Sequence, residues 1–360
     1  MPHVDSQKII KALDGLSAKI TMFADGFIDE VWEIVNARSS LTDFSVYSKM
    51  NQFADRITGS GSGGVGLELV KKRRAFGGFT ANIGYQTARL GVDTTMVGVF
   101  GKDGIDPIFK PVDEICRVLS LDNAAVTHVF EFDDGKILMS DMEAVQYITW
   151  NSIIEKLGEE NVKAMLAEST VIGVGYYSLL PAFDEIVKSV CTLLPKDNIR
   201  RRFFFDFADF RKKDEASLSI TLDLLKTLND KMPITLSLNE HEAAALYAKF
   251  GETLDNEKAP LEEKLEIVRT LLGFDELVVH SPHYAAAALA GEKPVFLEAE
   301  YHEKPVRSAG AGDSFNGGYL AARLAGLGIL ERLHVANASV SYFLKTGVFP
   351  TPDDMITQLK

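Results

Sequence analysis

The sequence predicts an α/β fold, a mainly parallel β-sheet covered by helices on both faces. Three observations carry this. Short apolar, β-rich runs recur along the chain, longer segments with helical periodicity lie between most of them, and two stretches break the alternation with the pattern of antiparallel ribbon. Strand–helix–strand alternation implies parallel strands, because each crossover must traverse a face of the sheet before the next strand can run the same way. A chain of 360 residues can bury a large core without disulfide or metal staples.

The strand runs are Lys19–Ala24, Thr95–Phe100, Thr170–Val174, Arg202–Asp206, Ile234–Ser237 and Glu276–His280. The clearest helical segments are Pro107–Leu119, Ala182–Leu194, Ala216–Leu228 and Leu261–Leu272. In the last of these, Leu261, Leu265, Val268 and Leu272 share one face at helical spacing. The ribbon stretches are Phe27–Val35 and Ala124–Ser140, the second turning at Asp133-Asp134-Gly135. Such insertions form either a flap over a site or extra edge strands. Ser39–Gly66 is polar and glycine-rich and reads as a mobile loop.

Lys and Arg number 38 against 51 Asp and Glu, a net charge of −13. That excludes nucleic acid or an anionic membrane surface as the main partner, since both select for clustered cations. The two cysteines, Cys116 and Cys191, cannot build a disulfide framework or a four-thiolate zinc site. The N-terminus lacks the basic-then-apolar pattern of a signal peptide, and no apolar run approaches the roughly 18 residues of a membrane helix. A soluble, cytoplasmic protein is expected.

Gly59, Gly61 and Gly64 match a dinucleotide fingerprint by spacing, but the strand before them and the βαβ context are missing. No P-loop motif occurs. His280 and His283 have no Cys or third His nearby, so a metal pair is not expected there.

The informative stretch is Gly310-Ala311-Gly312-Asp313, followed at once by a helix pattern in which Phe315, Leu320 and Leu324 offer an apolar face. Glycines at a helix start let backbone N–H groups approach an anion, and the helix dipole reinforces them. An ordinary N-capping Asp after a glycine turn is the structural alternative. The catalytic reading is phosphoryl transfer, with amides stabilising the spreading negative charge and Asp313 accepting the proton of an attacking hydroxyl. A second stretch, Gly77-Gly78 followed by Asn82, lets the main chain close on a polar ligand while Asn82 offers a donor and an acceptor to hydroxyls.

Together these stretches resemble the PfkB carbohydrate kinase family, the ribokinase-like sugar and nucleoside kinases, over nearly the whole chain from Ala24 to Val348. Gly77-Gly78 with Asn82 is similar to the family's first signature and Gly310–Asp313 to its second, more specific one. The resemblance implies one doubly wound α/β domain over residues 1–360 with a small β-lid, formed by segments at about 27–50 and 124–150. It implies ATP-dependent phosphorylation of a hydroxymethyl group, with Asp313 as base and Gly310, Ala311, Gly312 and Asp313 amides as anion hole. Asp29 stands in the place of the family's substrate aspartate and would hold the sugar with Gly77, Gly78 and Asn82. Asn239 and Glu242 are similar to its N-x-x-E motif, which places Mg²⁺ indirectly and the phosphates, and Asn337 lies where the family approaches the nucleotide base. Cofactors are ATP and Mg²⁺, the partner is a small-molecule sugar or nucleoside, and pairing of family members through their lids implies a homodimer.

Two departures carry expectations. Where the family usually has Asp-Thr-Thr/Ser before Gly-Ala-Gly-Asp, this chain has Arg307, Ser308 and Ala309, which predicts weak or absent potassium activation. Alternatively Arg307 points to solvent or pairs with a carboxylate. Pro282 and a nearby Ala replace glycines beside the nucleotide, which leaves the donor open. The basic run Lys71–Arg74 either reaches a phosphate on an already phosphorylated sugar or forms a solvated face. Asp206 and Asp209, at a strand end, either face the cleft or cap a turn. The rivals to a sugar kinase are a nucleoside kinase, whose base pocket Phe79, Phe130, Phe132 or Tyr147 would supply, and a non-catalytic sugar or nucleotide sensor.

Overall fold

The computed structural model describes residues 4–251 and 260–359. The strands are β1 Lys19–Phe23, β2 Phe27–Arg38, β3 Phe44–Val46, β4 Glu68–Gly77, β5 Asp93–Gly98, β6 Arg117–Ser120, β7 Ala125–Phe132, β8 Gly135–Asp141, β9 Val171–Val174, β10 Arg202–Asp206, β11 Ile234–Asn239, β12 Glu276–His280, β13 Tyr284–Leu289 and β14 Val295–Glu298. A nine-stranded sheet runs in the order β14-β13-β12-β11-β10-β9-β1-β5-β6. Its strands from β12 to β6 are parallel, and β13 and β14 close one edge as an antiparallel hairpin. Chain order reverses on either side of β1, with β5 next to one edge and β9 next to the other. That makes the β1/β9 boundary the switch point of a doubly wound sheet, where a crevice opens at the strands' carboxyl ends.

The strands read as continuous apolar runs because both faces are covered. On β10, Phe203 and Phe205 enter one core with the helices Phe183–Leu193, Glu215–Asn229 and Leu261–Leu272, while Phe204 enters the other with Phe79 and Leu320. Fully burying each such ring contributes roughly 1.5–3 kcal/mol. The Leu261–Leu272 helix buries Leu265, Val268 and Leu272 as its spacing predicts, and ends on Gly273 in the left-handed conformation.

A separate five-stranded sheet is built from β2, β3, β4, β7 and β8. It is the lid, and three chain segments supply it rather than two. The segment absent from the expectation is β4, which pairs antiparallel along the length of β2 and carries the basic run. Its charges disguised a strand whose neighbours are acidic. The Ser39–Gly66 stretch is not a plain loop. It contains β3 and the helix Met50–Thr58, which closes over the lid by packing Phe53 against Ile34 and Phe130. At the other end, Val145, Ile148 and Ile153 pack into the core under the large sheet, so the lid sheet ends at Asp141 rather than near 150. Pro107–Leu119 is not one helix either. A 3-10 turn at Pro107–Phe109 and one helical turn lead directly into β6, because Val118 and Leu119 are needed to pair with Met96 and Val97.

Candidate active site

Asp313 is the third residue of the helix Ala311–Leu324, whose N-cap, Gly310, sits at φ +92°, a conformation that only glycine adopts freely. Asp313 does not cap this helix. Its Oδ1 accepts the phenolic hydroxyl of Tyr176 (2.6 Å) and its Oδ2 accepts the side-chain amide of Asn82 (2.7 Å). Only 5% of the residue is exposed, and this burial pushes the carboxyl up to about 6 against the two hydrogen bonds that favour the charged form. Among the four amides of the turn, that of Ala311 donates to the Ser308 carbonyl (3.2 Å). This corrects the expectation that all four face an anion: Gly310, Gly312 and Asp313 remain without a protein acceptor among the described residues.

The elements around Asp313 meet at the switch point. Asp25 follows β1, Tyr176 follows β9, and Asp206, Asn239 and His280 end β10, β11 and β12. Asp25 is buried and accepts the amides of Phe79 (2.9 Å) and Thr80 (2.8 Å), which fastens the start of the Phe79–Arg89 helix, and with it Asn82, to the sheet. Gly78 is required there because a Cβ would come within 2.9 Å of the Asp25 carboxylate. The Oδ1 of Asn82 is buried without a partner, an acceptor open to an incoming hydroxyl. Asp206 caps the turn after β10, accepting from Ala208 N–H (2.8 Å) and from the Asn316 amide (2.8 Å), and burial together with the nearby Asp313 pushes it up to about 7. Asp209 instead pairs with Arg211 (2.6 Å).

On the lid side, Asp29 lies on β2 with Gly77 pressed against it, so close that a Cβ would fall 2.6 Å from its Oδ2. Burial pushes Asp29 up to about 6, opposed by the charges of Arg307, Lys136 and Arg73. Arg307 neither points to solvent nor pairs with a carboxylate. Its Nε donates to the Ala309 carbonyl (3.0 Å), it reaches the Phe76 carbonyl (3.4 Å), and its guanidinium lies over the rings of Phe343 and Phe349 (5.2 and 5.9 Å). It thus bridges the turn before Asp313 to the residue before Gly77. The basic run is taken up by lid acids: Lys71 and Arg74 by Glu30, Lys72 by Glu33, Arg73 by Glu131. A second basic run, Arg200–Arg202, staples the fold through Arg201 with Asp197 and Arg202 with Asp275.

A cavity of about 540 Å³ adjoins this site, lined among others by Lys136, Asn239, His280, Pro282, Ala311, Gly312 and Asn337. His280 packs at a tilt against the Phe315 ring (centroids 4.9 Å apart) beside Gly312, and burial lowers it to about 4, so it is neutral. Asn239 and Glu242 form a reciprocal cap on the helix Glu240–Lys249, with Asn239 N–H and Nδ2 donating to Glu242 at 2.9 and 2.6 Å. Burial and the nearby Asp206 raise Glu242 to about 9. A larger cavity, about 920 Å³, opens beside it around Gln7, His334 and Gln358 but contains none of the residues that touch Asp313.

Comparison with known proteins decides the family. The model of the prokaryotic ketohexokinase family matches residues 7–360. The chain belongs to the prokaryotic ketohexokinase family. It is 25% identical over 341 residues to the ketohexokinase of Haloferax volcanii, covering 92% of this chain and 88% of that one. In fold it is similar to the Arabidopsis thaliana ribokinase solved with ribose and ATP, at TM-score 0.64 and 17% identity, covering 95% and 98% of the two chains. It is equally similar to the adenosine kinase of Sinorhizobium meliloti, at TM-score 0.64 and 18% identity, covering 94% and 97%.

This prokaryotic ketohexokinase family member is therefore a PfkB-type carbohydrate kinase with the ribokinase fold, as the motifs implied. No helix among the described residues is long and apolar enough to cross a membrane. Of the residues singled out from the sequence, Asn82 contacts both Asp313 and Gly310, and Gly77 lies against Asp29, while Asn239 and Asn337 line the adjoining cavity. Sequence reasoning missed Tyr176, Asp25 and Lys136. A strand end followed by Gly175-Tyr176-Tyr177 was the available signal for the first. Of the aromatics considered for a nucleoside base, Phe79 stacks on Phe204 in the core, Phe130 packs with Phe53 in the lid, and Tyr147 is exposed.

Proposed function

We propose that the chain transfers the γ-phosphoryl group of ATP to a hydroxymethyl group of a ketohexose. The observation that carries this reading is Asp313: a carboxylate buried at the front of a helix, oriented by Asn82 and Tyr176, beside backbone amides with no protein acceptor. The base is raised toward the working pH yet largely ionised at pH 7, which makes it a better acceptor for the hydroxyl proton than an exposed Asp. The amides of Gly310, Gly312 and Asp313 stabilise the charge on the transferring group, an effect worth about 10²–10³ in rate per donor.

Asp29 and the free Oδ1 of Asn82 hold sugar hydroxyls, and Gly77 and Gly78 let the chain close over them. The ketohexose is the substrate class that the Haloferax relative is named for. With all four cations of Lys71–Arg74 occupied, the acceptor is an unphosphorylated sugar. The 540 Å³ cavity takes the nucleotide, with Asn337 on its far wall. The Asp206 charge disfavours ionised Glu242, and a hydrated Mg²⁺ held by these two acids would relieve that repulsion. Mg²⁺ supplies charge neutralisation on the phosphate oxygens.

The test is ADP release with ketohexoses, aldoses and nucleosides, comparing the wild type with Asp313→Asn. Turnover on ketohexoses that disappears in the variant is expected. A variant that still turns over removes the mechanism, preference for nucleosides removes the substrate class, and binding without turnover on any acceptor points to a sensor.

A further inference from the structure

The β7–β8 hairpin turns at Asp133–Gly135, and the turn is tied down by Asp134, which accepts the Met50 amide (2.9 Å). Just past it, Lys136 stands across from Glu131. An Arg or Lys opposite a Glu on paired strands ordinarily forms a cross-strand pair. Here Glu131 is already held by two guanidinium nitrogens of Arg73 (2.6 and 3.3 Å). Among the described residues Lys136 has no hydrogen bond and no ion pair. It turns inward and lines the nucleotide-sized cavity with Ser308, Ala311 and Gly312.

A half-buried ammonium that has carboxylates nearby but no direct ion pair is stabilised further when a ligand brings an anion into contact with it. Desolvation lowers the pKa of Lys136, and the carboxylates of Asp29, Glu131 and Asp313 act against that while Arg307 adds to it. The same cavity is lined by Gly312 at the helix start, and the amides of Gly312 and of the adjacent Asp313 lack acceptors among the described residues. One anionic group in the cavity satisfies both Lys136 and these amides.

We propose that Lys136 is a catalytic residue of the phosphoryl transfer set out above, its lid-borne ammonium contacting the oxygens of the transferring phosphoryl group together with the Gly312 and Asp313 amides. The inference rests on that reading of the site. In the step, a bond forms between the acceptor oxygen and the γ-phosphorus, and the bond from that phosphorus to the β,γ-bridging oxygen breaks. Its electron pair leaves with ADP, and the hydroxyl proton passes to Asp313. Lys136 keeps its proton and supplies only charge, for which a compact ammonium suffices. Because it arrives on the lid, the charge is in place only when the lid is closed over both substrates.

The experiment compares Lys136→Met and Lys136→Arg with the wild type and Asp313→Asn in the full chain. Wild-type turnover on a ketohexose, abolished in Asp313→Asn, establishes the underlying reading; without it that reading falls and this inference with it. Given that result, Lys136→Met is expected to lower kcat by about 10²–10³-fold and Lys136→Arg to recover part of the loss. Sugar affinity titrated without nucleotide stays within about twofold, and the unliganded melting temperature is unchanged or higher, because no native pair is lost. ADP with aluminium fluoride and sugar raises the midpoint of the wild type but not of Lys136→Met. A kcat within about threefold of wild type overturns the proposal, as does a lowered melting temperature with weakened sugar binding, the mark of a structural partnership with Asp29.

Discussion

Tyr176 and Asp313 lie 137 positions apart in the chain, yet the phenolic hydroxyl donates to the carboxylate at 2.6 Å. One sits just past the end of β9 and the other in the first turn of the Ala311–Leu324 helix, so their meeting registers that helix on the switch point of the sheet. The hydrogen bond favours the ionised carboxylate, against a burial that disfavours it.

Asp313 must be ionised to act, and its pKa is raised to about 6, so kcat/KM is expected to fall as pH drops through about 6. Tyr176→Phe removes a bond that lowers that pKa. The acidic limb of the pH profile then moves to higher pH; a rise of about one pKa unit lowers the rate at pH 7 by about twofold and the rate well below pH 6 by about tenfold. An acidic limb that does not move in the variant separates Tyr176 from the titration of the base.

Gly77→Ala places a methyl group 2.6 Å from the Asp29 carboxylate. Gly77 itself is unstrained, so the protein folds and the carboxylate swings away. Sugar KM is expected to rise by about tenfold or more with ATP KM little changed. Equal effects on both would show that Asp29 does not face the sugar.

The fixed guanidinium of Arg307, bonded to the Ala309 carbonyl and seated on two aromatic rings, brings positive charge to the turn before Asp313. Replacing potassium by a large organic cation at constant ionic strength is expected to leave the initial rate unchanged. Marked activation by potassium counts against this.

Glu276 is fully buried on β12 and accepts from Tyr319 (2.7 Å), Arg323 (2.7 Å), Arg332 (2.9 Å) and Thr235 (2.6 Å). It anchors the far end of the helix that begins beside Asp313. Glu276→Ala leaves two guanidinium groups without their shared acceptor, and urea unfolding is expected to show a loss of about 3–5 kcal/mol. A loss under about 1 kcal/mol would mean that Asp275 takes over both arginines.

The sequence alone determined the alternation of strands and helices, because a sheet covered on both faces demands apolar strands and one-sided helices, and Phe203–Phe205 or Leu261–Leu272 can satisfy nothing else. It also determined the glycine turns at Gly77-Gly78 and Gly310–Gly312, since only glycine tolerates their close contacts or positive φ. The tertiary structure alone decided which polar groups share a site. That Lys71–Arg74 forms a lid strand neutralised by Glu30, Glu33 and Glu131, that Lys136 has no direct ion pair among the described residues, and that Tyr176 reaches Asp313 all depend on which strands become neighbours. Local propensity and periodicity report on burial one element at a time, whereas a charge is paired or stranded by residues a hundred positions away.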